Sequence, residues 1–325
     1  MFKSTHGKSK KLLDSRPKEL IHVEELIYEA KFDEVLEKIE KFEKKGNIST
    51  EDKLYLLIIK GWIYSYQAMY GNAIKFGERA YQISQKLKSL PESIDALLLK
   101  ATMVFKGQID KSLEITLEAE SVLNSLHEMS ETEYSRRKAG ILFFKSQINF
   151  SKVNYHQALE QALQCLTLRE KIGDKFTITH SLIQIANICL LKGEINTGLE
   201  HALKNLKIQE EMGWSKGIAY GLYLVGFAHN YKGNLDLAIE YCKRSLLIKE
   251  ITPDVKVQNY YTLGAIHTFK GELHKALKYH EKAASLAYEI GNINSYAINH
   301  QAFRRRIKGY LARYNSQIWK KVEKI

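Results

Sequence analysis

The chain has 325 residues, 45% of them hydrophobic and 26% charged, a balance that excludes a disordered polymer and leaves ample material for a core. Its formal charge of +12 sits at the two ends, with a net +5 over residues 1–18 and a net +7 over residues 304–325. Residues 19–303 are therefore neutral, which argues against a nucleic acid running along the body of the protein. Three prolines, and no strand-forming runs bounded by turn residues, argue for an all-helical chain. Cys165, Cys189 and Cys242 are too few and too scattered for a disulfide framework or a zinc site, which points to a reducing compartment. The basic N-terminus lacks an apolar centre, and no run approaches the ~18 apolar residues that span a bilayer, so a cytoplasmic location is expected.

Residues 1–16 form a basic N-terminal tail, and from residue 17 one pattern repeats to residue 325 as a single domain. Each unit is a helix, a short turn and a second helix opened by a small residue, placed at about 17–46, 51–90, 91–126, 131–173, 175–213, 215–252, 254–291 and 293–325, the last a degenerate cap. The small residues are Val35, Ala73, Ser112, Ala158, Gly198, Ala238, Ala276 and, degenerately, Tyr314. The long step from Ser112 to Ala158 places an insertion around Asn124–Arg136, as a lengthened second helix or a loop. Self-similarity is plainest where Ile185–Leu203, Val225–Lys243 and Leu263–Glu281 align through a shared Lys-Gly turn. Gly107, Gly193, Gly233, Gly271 and Gly309 suit the left-handed residue that ends a helix, as do Gly173, Gly213 and Gly291 after the second helices. Pro17, Pro91 and Pro253 fall where first helices begin, at positions that need no N–H. Gly61, Ala186, Gly226, Gly264 and Ala302 in first helices, with Ala73, Ala158, Ala238 and Ala276 in second helices, allow close approach within each hairpin. No hairpin buries its apolar face alone, so the units must stack into an all-α, right-handed superhelical solenoid of about eight antiparallel hairpins.

This pattern resembles the tetratricopeptide repeat in its longer form, similar to the units of kinesin light chains, spindle-orientation scaffolds and bacterial peptide-sensing regulators. The resemblance is strongest over Leu182–Ile290 and weakest at the ends. It implies that the first helices line a concave face along which ligands lie. In the 215–252 hairpin that face holds Tyr220, Tyr223, Phe227, Asn230 and Tyr231; the equivalent residues elsewhere include Tyr55, Trp62, Tyr66, Phe105, Phe143, Phe150, His180, Asn187, Tyr261, Phe269 and Tyr296. Rings with a few amides suit an apolar or amphipathic peptide or helix of a partner protein. Alternatively, part of these rings pack between adjacent first helices. Asn187 matches the Asn with which family members grip a ligand backbone, but Trp62, Gln147, Phe227 and Phe303 replace it in other hairpins, and the lysines of chaperone-tail adaptors are absent.

Other motifs fit structure better than chemistry. Gly213-Trp-Ser-Lys-Gly217 matches a nucleophile elbow but joins two helices, where Ser215 serves as an N-cap. His229 and His267 occupy equivalent positions that normally hold a packing aromatic. Lys106, Lys152, Lys192, Lys232, Lys270 and Lys308 each stand in the last turn of a first helix, where a cation complements the helix dipole. No phosphate loop or dinucleotide fingerprint occurs, so no catalytic, cofactor or metal site is expected. The function expected is a non-enzymatic scaffold that binds a peptide or helix. The alternatives are a peptide-sensing module of a signalling assembly and an adaptor that meets nucleic acid or membrane through Lys8, Lys10, Lys11, Arg16 and Arg304–Arg306.

Overall fold

The computed structural model describes residues 23–290 apart from Lys45 and Asn47; the basic tail and the last hairpin, with Tyr296, Gly309 and Tyr314, lie outside the described residues. Among these every regular element is helical. Contacts gather the chain into two compact units, Met1–Lys192 and Gly193–Ile325, a division that falls inside the hairpin expected at 175–213. Unit 1 contains α1 (Val23–Tyr28), α2 (Phe32–Lys44), α3 (Thr50–Tyr66), α4 (Tyr70–Leu87), α5 (Leu90–Ala101), α6 (Ile109–Ser125), α7 (Glu131–Ser151), α8 (Tyr155–Ile172) and α9 (Lys175–Lys192). Unit 2 contains α10 (Ile195–Met212), α11 (Ser215–Tyr231), α12 (Leu235–Leu247), α13 (Pro253–Phe269) and α14 (Leu273–Glu289).

Local chemistry sets the ends of these helices. Ser49 accepts from the Asp52 amide at 2.9 Å and Ser130 from the Glu133 amide at 3.3 Å, each with a carboxylate three residues on that the hydroxyl contacts in turn. Asp174 Oδ1 accepts from the amides of Phe176 and Thr177 and so opens α9. Pro91 and Pro253 lie in the first turns of α5 and α13. Within each hairpin the turn residue five positions before the small residue is left-handed: Ala30, Ala68, Gly107, Val153, Gly193, Gly233 and Gly271, with φ from 57° to 84°. Four of the seven are glycines; Val153, at φ 64°, is a β-branched residue in a conformation that costs an L side chain about 1–2 kcal/mol. Its side chain is 66% exposed and contributes little packing. Val153→Gly is therefore expected to stabilise the chain by about 1 kcal/mol after the added freedom of the unfolded glycine is subtracted, seen as a higher urea midpoint with unchanged slope.

Packing between helices uses the small residues. Ala73, Ala158, Ala238 and Ala276 are fully buried. A Cβ added to Gly77 would stand 2.9 Å from Leu99 Cβ and 3.0 Å from the Ala96 carbonyl of α5, too close for backbone that cannot yield. In unit 1, Ile94, Leu97, Leu98, Ile115, Leu123, Ile141, Phe144 and Ile148 from α5, α6 and α7 form one continuous core. Buried hydroxyls satisfy carbonyls at the crossings, with Ser112 donating to Ala101 O at 2.7 Å, Ser146 to Ala158 O at 2.6 Å and Ser245 to Ala219 O at 2.7 Å.

Two expectations gain detail. The insertion is taken up by the loop Leu126–Ser130 and by a longer first helix, α7 at 21 residues, while the preceding second helix α6 keeps 17. The row of lysines also joins hairpins: Lys152 pairs with Asp110 at 2.8 Å and Lys270 with Asp236 at 2.6 Å, each acid opening the second helix of the preceding hairpin. At the intervening register the acid is replaced by His156 and Asn196. Both aspartates are exposed, so these pairs fix register more than they stabilise.

Candidate functional site

In unit 1 the first helices α3, α5, α7 and α9 pack side by side in chain order. Their row is curved so strongly that its two ends touch. Tyr66, at the end of α3, meets Phe176 edge-on at 4.7 Å and His180 at 5.4 Å between ring centroids. Phe32, the first residue of α2, stacks on Tyr66 at 5.9 Å and meets Phe176 edge-on at 5.4 Å. Trp62 stacks on Tyr66 at 5.9 Å, one turn earlier. The first helices thus form the inside of the curve, and the inner face of unit 1 is bridged by its own aromatic side chains. Phe32 and Phe176 are buried to 5% and 1% exposure.

The ring of His180 is held neutral. Burial among these rings pushes its pKa down to about 4, and the nearby Arg169 charge works in the same direction, opposed by the Phe176 carbonyl and Asp174. Its Nδ1 lies 3.0 Å from Phe176 O, an acceptor, so the proton of the neutral ring is on Nδ1. Arg169 is itself tied down, donating through Nη1 to Thr177 O at 2.8 Å and Ser181 Oγ at 2.9 Å with its guanidinium 4.9 Å from the centre of the Phe143 ring.

In unit 2 the rings run along one helix. Tyr220, Tyr223, Phe227 and Tyr231 of α11 follow at spacings of three and four, with successive centroids 5.6, 5.7 and 4.9 Å apart. The two flanks of α11 carry the glycines: Gly217 and Gly221 lie against Gln209, Asn205 and Leu206 of α10, and Gly226 against Cys242 and Ala238 of α12. Tyr231 is 40% exposed and Phe269, at the end of α13, is 77% exposed. His229 stacks on Tyr241 and His267 on Tyr279, with ring planes nearly parallel in both hairpins, so both histidines pack within their hairpins. Among the described residues no group of His, Cys, Asp and Glu has the arrangement of a metal site.

The structure sorts the residues expected on the ligand face. Trp62 and Phe143 are partly buried against the core clusters, and Tyr223 is buried to 8%, so these three serve packing first. Phe105 stacks on Tyr70 at 4.7 Å and Phe150 meets Tyr155 at 5.7 Å, which puts both at the turn edge of their hairpins. Tyr261 meets His280 edge-on within the last described hairpin. Tyr55, Asn187, Tyr220, Phe227 and Asn230 are half-buried. Ser215 is the first helical residue of α11, and Trp214 occupies the N-cap with no side-chain cap, which corrects the capping role expected of Ser215. Phe32, Tyr70 and Tyr155 all stand three residues before the small residue of their second helices, a register that marks an aromatic position which the groove pattern alone does not include.

The sequence of the α13–α14 hairpin, residues 257–289, matches the tetratricopeptide repeat. The family match covers that one hairpin of the chain. The same fold is seen in a Rap protein complexed with competence and sporulation factor, at 16% identity and a TM-score of 0.68 over 96% of this chain and 85% of that one. It is seen again in the Rap conjugation gene regulator of plasmid pLS20 in complex with a Phr peptide, at 15% identity, a TM-score of 0.57 and coverage of 84% and 87%. The apo quorum sensor NprR from B. thuringiensis gives 14% identity and 0.56 over 73% of this chain and 66% of that one. At such identities the likeness of these tetratricopeptide proteins is one of fold. A comparison with curated proteins found no match. Among the described residues no helix is long and apolar enough to cross a membrane.

Proposed function

We propose that this protein is a non-enzymatic scaffold that binds a peptide or amphipathic helix of a partner along the aromatic side of its first helices. The observation that carries this is the row Tyr220, Phe227 and Tyr231, which presents half-buried and exposed rings along one side of α11 with the buried Tyr223 packed among them. Such rings give large contact area at low entropic cost, and the half-buried amides Asn187 and Asn230 offer hydrogen bonds to a ligand backbone. Peptide complexes of two proteins of the same fold favour a regulatory form of this reading, in which the bound peptide changes affinity for a second protein.

A peptide library displayed against the full chain tests the proposal. Enriched sequences are expected to carry two or more aromatic or large aliphatic residues, and Phe227→Ala combined with Tyr231→Ala should weaken the best of them at least tenfold, about 1.4 kcal/mol. Neutralising Arg304–Arg306 should leave binding unchanged. The opposite pattern, with loss only in the arginine variant, overturns the groove and favours the basic terminus.

A further inference from the structure

The lysines that end the first helices form a row of rungs, and one rung near the start of the chain is incomplete. In two rungs the lysine meets an aspartate two residues before the small residue of the preceding second helix, Lys152 with Asp110 at 2.8 Å and Lys270 with Asp236 at 2.6 Å. Lys106, in the hairpin that α5 opens, reaches the same register of α4, and the residue there is Gly71. A Cβ added to Gly71 would have Lys106 Nζ as its nearest neighbour, at 3.9 Å. The ammonium thus lies over the rung position, but the sequence supplies no carboxylate, and among the described residues Lys106 meets no acid.

Beside this rung lies an open groove of about 320 Å³, lined by Ala68, Met69, Tyr70, Gly71, Asn72 and Lys106, all in unit 1. Met69 is 46% exposed, and its flexible thioether adapts to apolar neighbours. The Tyr70 ring is set by its stack on Phe105 at 4.7 Å. Lys106 is the one charged residue of the lining. In the complete rungs the aspartates are 88% and 90% exposed, so the carboxylate of a rung stands on the outside of the molecule. A carboxylate carried by another chain can reach that place.

We propose that this groove docks a segment of a partner protein that sets an acidic residue beside a large aliphatic one. The carboxylate meets Lys106 as Asp110 and Asp236 meet their lysines, and the aliphatic side chain lies on Met69 and Tyr70. Charge complementarity selects the acid, since a basic segment would face an ammonium with no counter-charge. Asn72 adds an amide to the rim. The site stands at the turn edge of its hairpin and does not draw on the ring row of α11, so it is a second surface with its own ligand class.

The test titrates the full chain, with isotope-labelled methionine methyl groups, against the peptide acetyl-Leu-Glu-Leu amide and follows Met69 by NMR. A saturable shift of the Met69 methyl signal is expected, and the peptide with Gln in place of Glu should bind at least about threefold more weakly, the scale of one exposed ion pair. Gly71→Asp completes the rung from within and should weaken the acidic peptide by at least as much, whereas Gly71→Ala should not. An acid in the first turn of a helix is favourable and the added Cβ meets only Lys106 Nζ, so the variant is expected to fold. Lys106→Gln carries the same test if circular dichroism shows otherwise. Absence of a saturable shift, or equal affinity of wild type and Gly71→Asp, overturns the site. Dimerisation of the wild type that Gly71→Asp abolishes also overturns it, in favour of a second copy as occupant. Phe227→Ala with Tyr231→Ala should leave the Met69 shift intact while it abolishes binding of library peptides, so failure of the groove and failure of the α11 face give different results.

Discussion

Arg137→Ala is expected to lower the unfolding free energy by about 3 kcal/mol. The Arg137 guanidinium reaches from α7 to Asp95 of α5 at 2.7 Å and donates through Nε to Pro91 O at 3.0 Å, with side chains only 10% and 20% exposed. Burial already holds the Asp95 carboxyl above its usual range, with Arg137 as the main opposing charge. Removing the guanidinium strands a buried carboxylate, which must then be neutralised by a proton. In the variant the folded state therefore binds more protons than the unfolded state near neutrality, so stability falls as pH rises. The deficit relative to wild type should shrink as pH is lowered from 7 toward 5. Urea melts at several pH values measure this, and pairing Arg137→Met with Asp95→Leu should recover most of the loss. A loss under about 1 kcal/mol would place the pair with ordinary exposed ion pairs.

Acidification is expected to destabilise unit 1 through His180. Its folded pKa of about 4 lies below the ordinary value of 6.5, so the unfolded chain takes up a proton first as pH falls. The stabilisation held by the neutral ring is complete above pH 6.5 and is lost progressively toward pH 4. The full shift corresponds to about 3 kcal/mol, and about 2 kcal/mol is expected because the ring is not wholly shielded from water. The charged groups that face it are Arg169 and Asp174, whose effects on its protonation oppose each other. His180→Phe retains a ring and removes the titration, so its unfolding midpoint should stay flatter than that of wild type between pH 6.5 and 4. Parallel pH profiles for the two chains would exclude His180 as the source. His229, which burial also holds low, titrates in both chains and cancels in the comparison.

Much of this architecture is legible in the sequence because a hairpin repeat writes its rules locally. The Lys-Gly turns, prolines in the first turns of first helices and small residues at the crossings all act within one unit or between neighbours, and the helices fall where those residues allow. The ladder on α11 is equally local, being a matter of spacing along one helix. What the sequence hides is curvature. Whether Phe32 meets Phe176 depends on small rotations summed over several hairpins, set by side-chain volumes such as those of Phe144 and Leu99, and no period encodes that sum. Burial of Tyr223 and partial burial of Trp62 and Phe143 are hidden for the same reason, since an inward-facing ring becomes core only where the curve is tight. At Trp214 the difference is smaller: α11 starts one residue before the point at which Ser215 would act as its cap.

The ring contact between Phe32, Tyr66 and Phe176 also gives unit 1 a mechanical property. A stack of hairpins bound only to their neighbours behaves as an open spring whose pitch varies cheaply. Fastening its two ends makes pitch a shared variable, because a change in the packing of α5 on α7 must be absorbed at the fastening or transmitted to it. Steric load applied anywhere along the inside of the curve is thereby delivered to one place, the seat of Phe32.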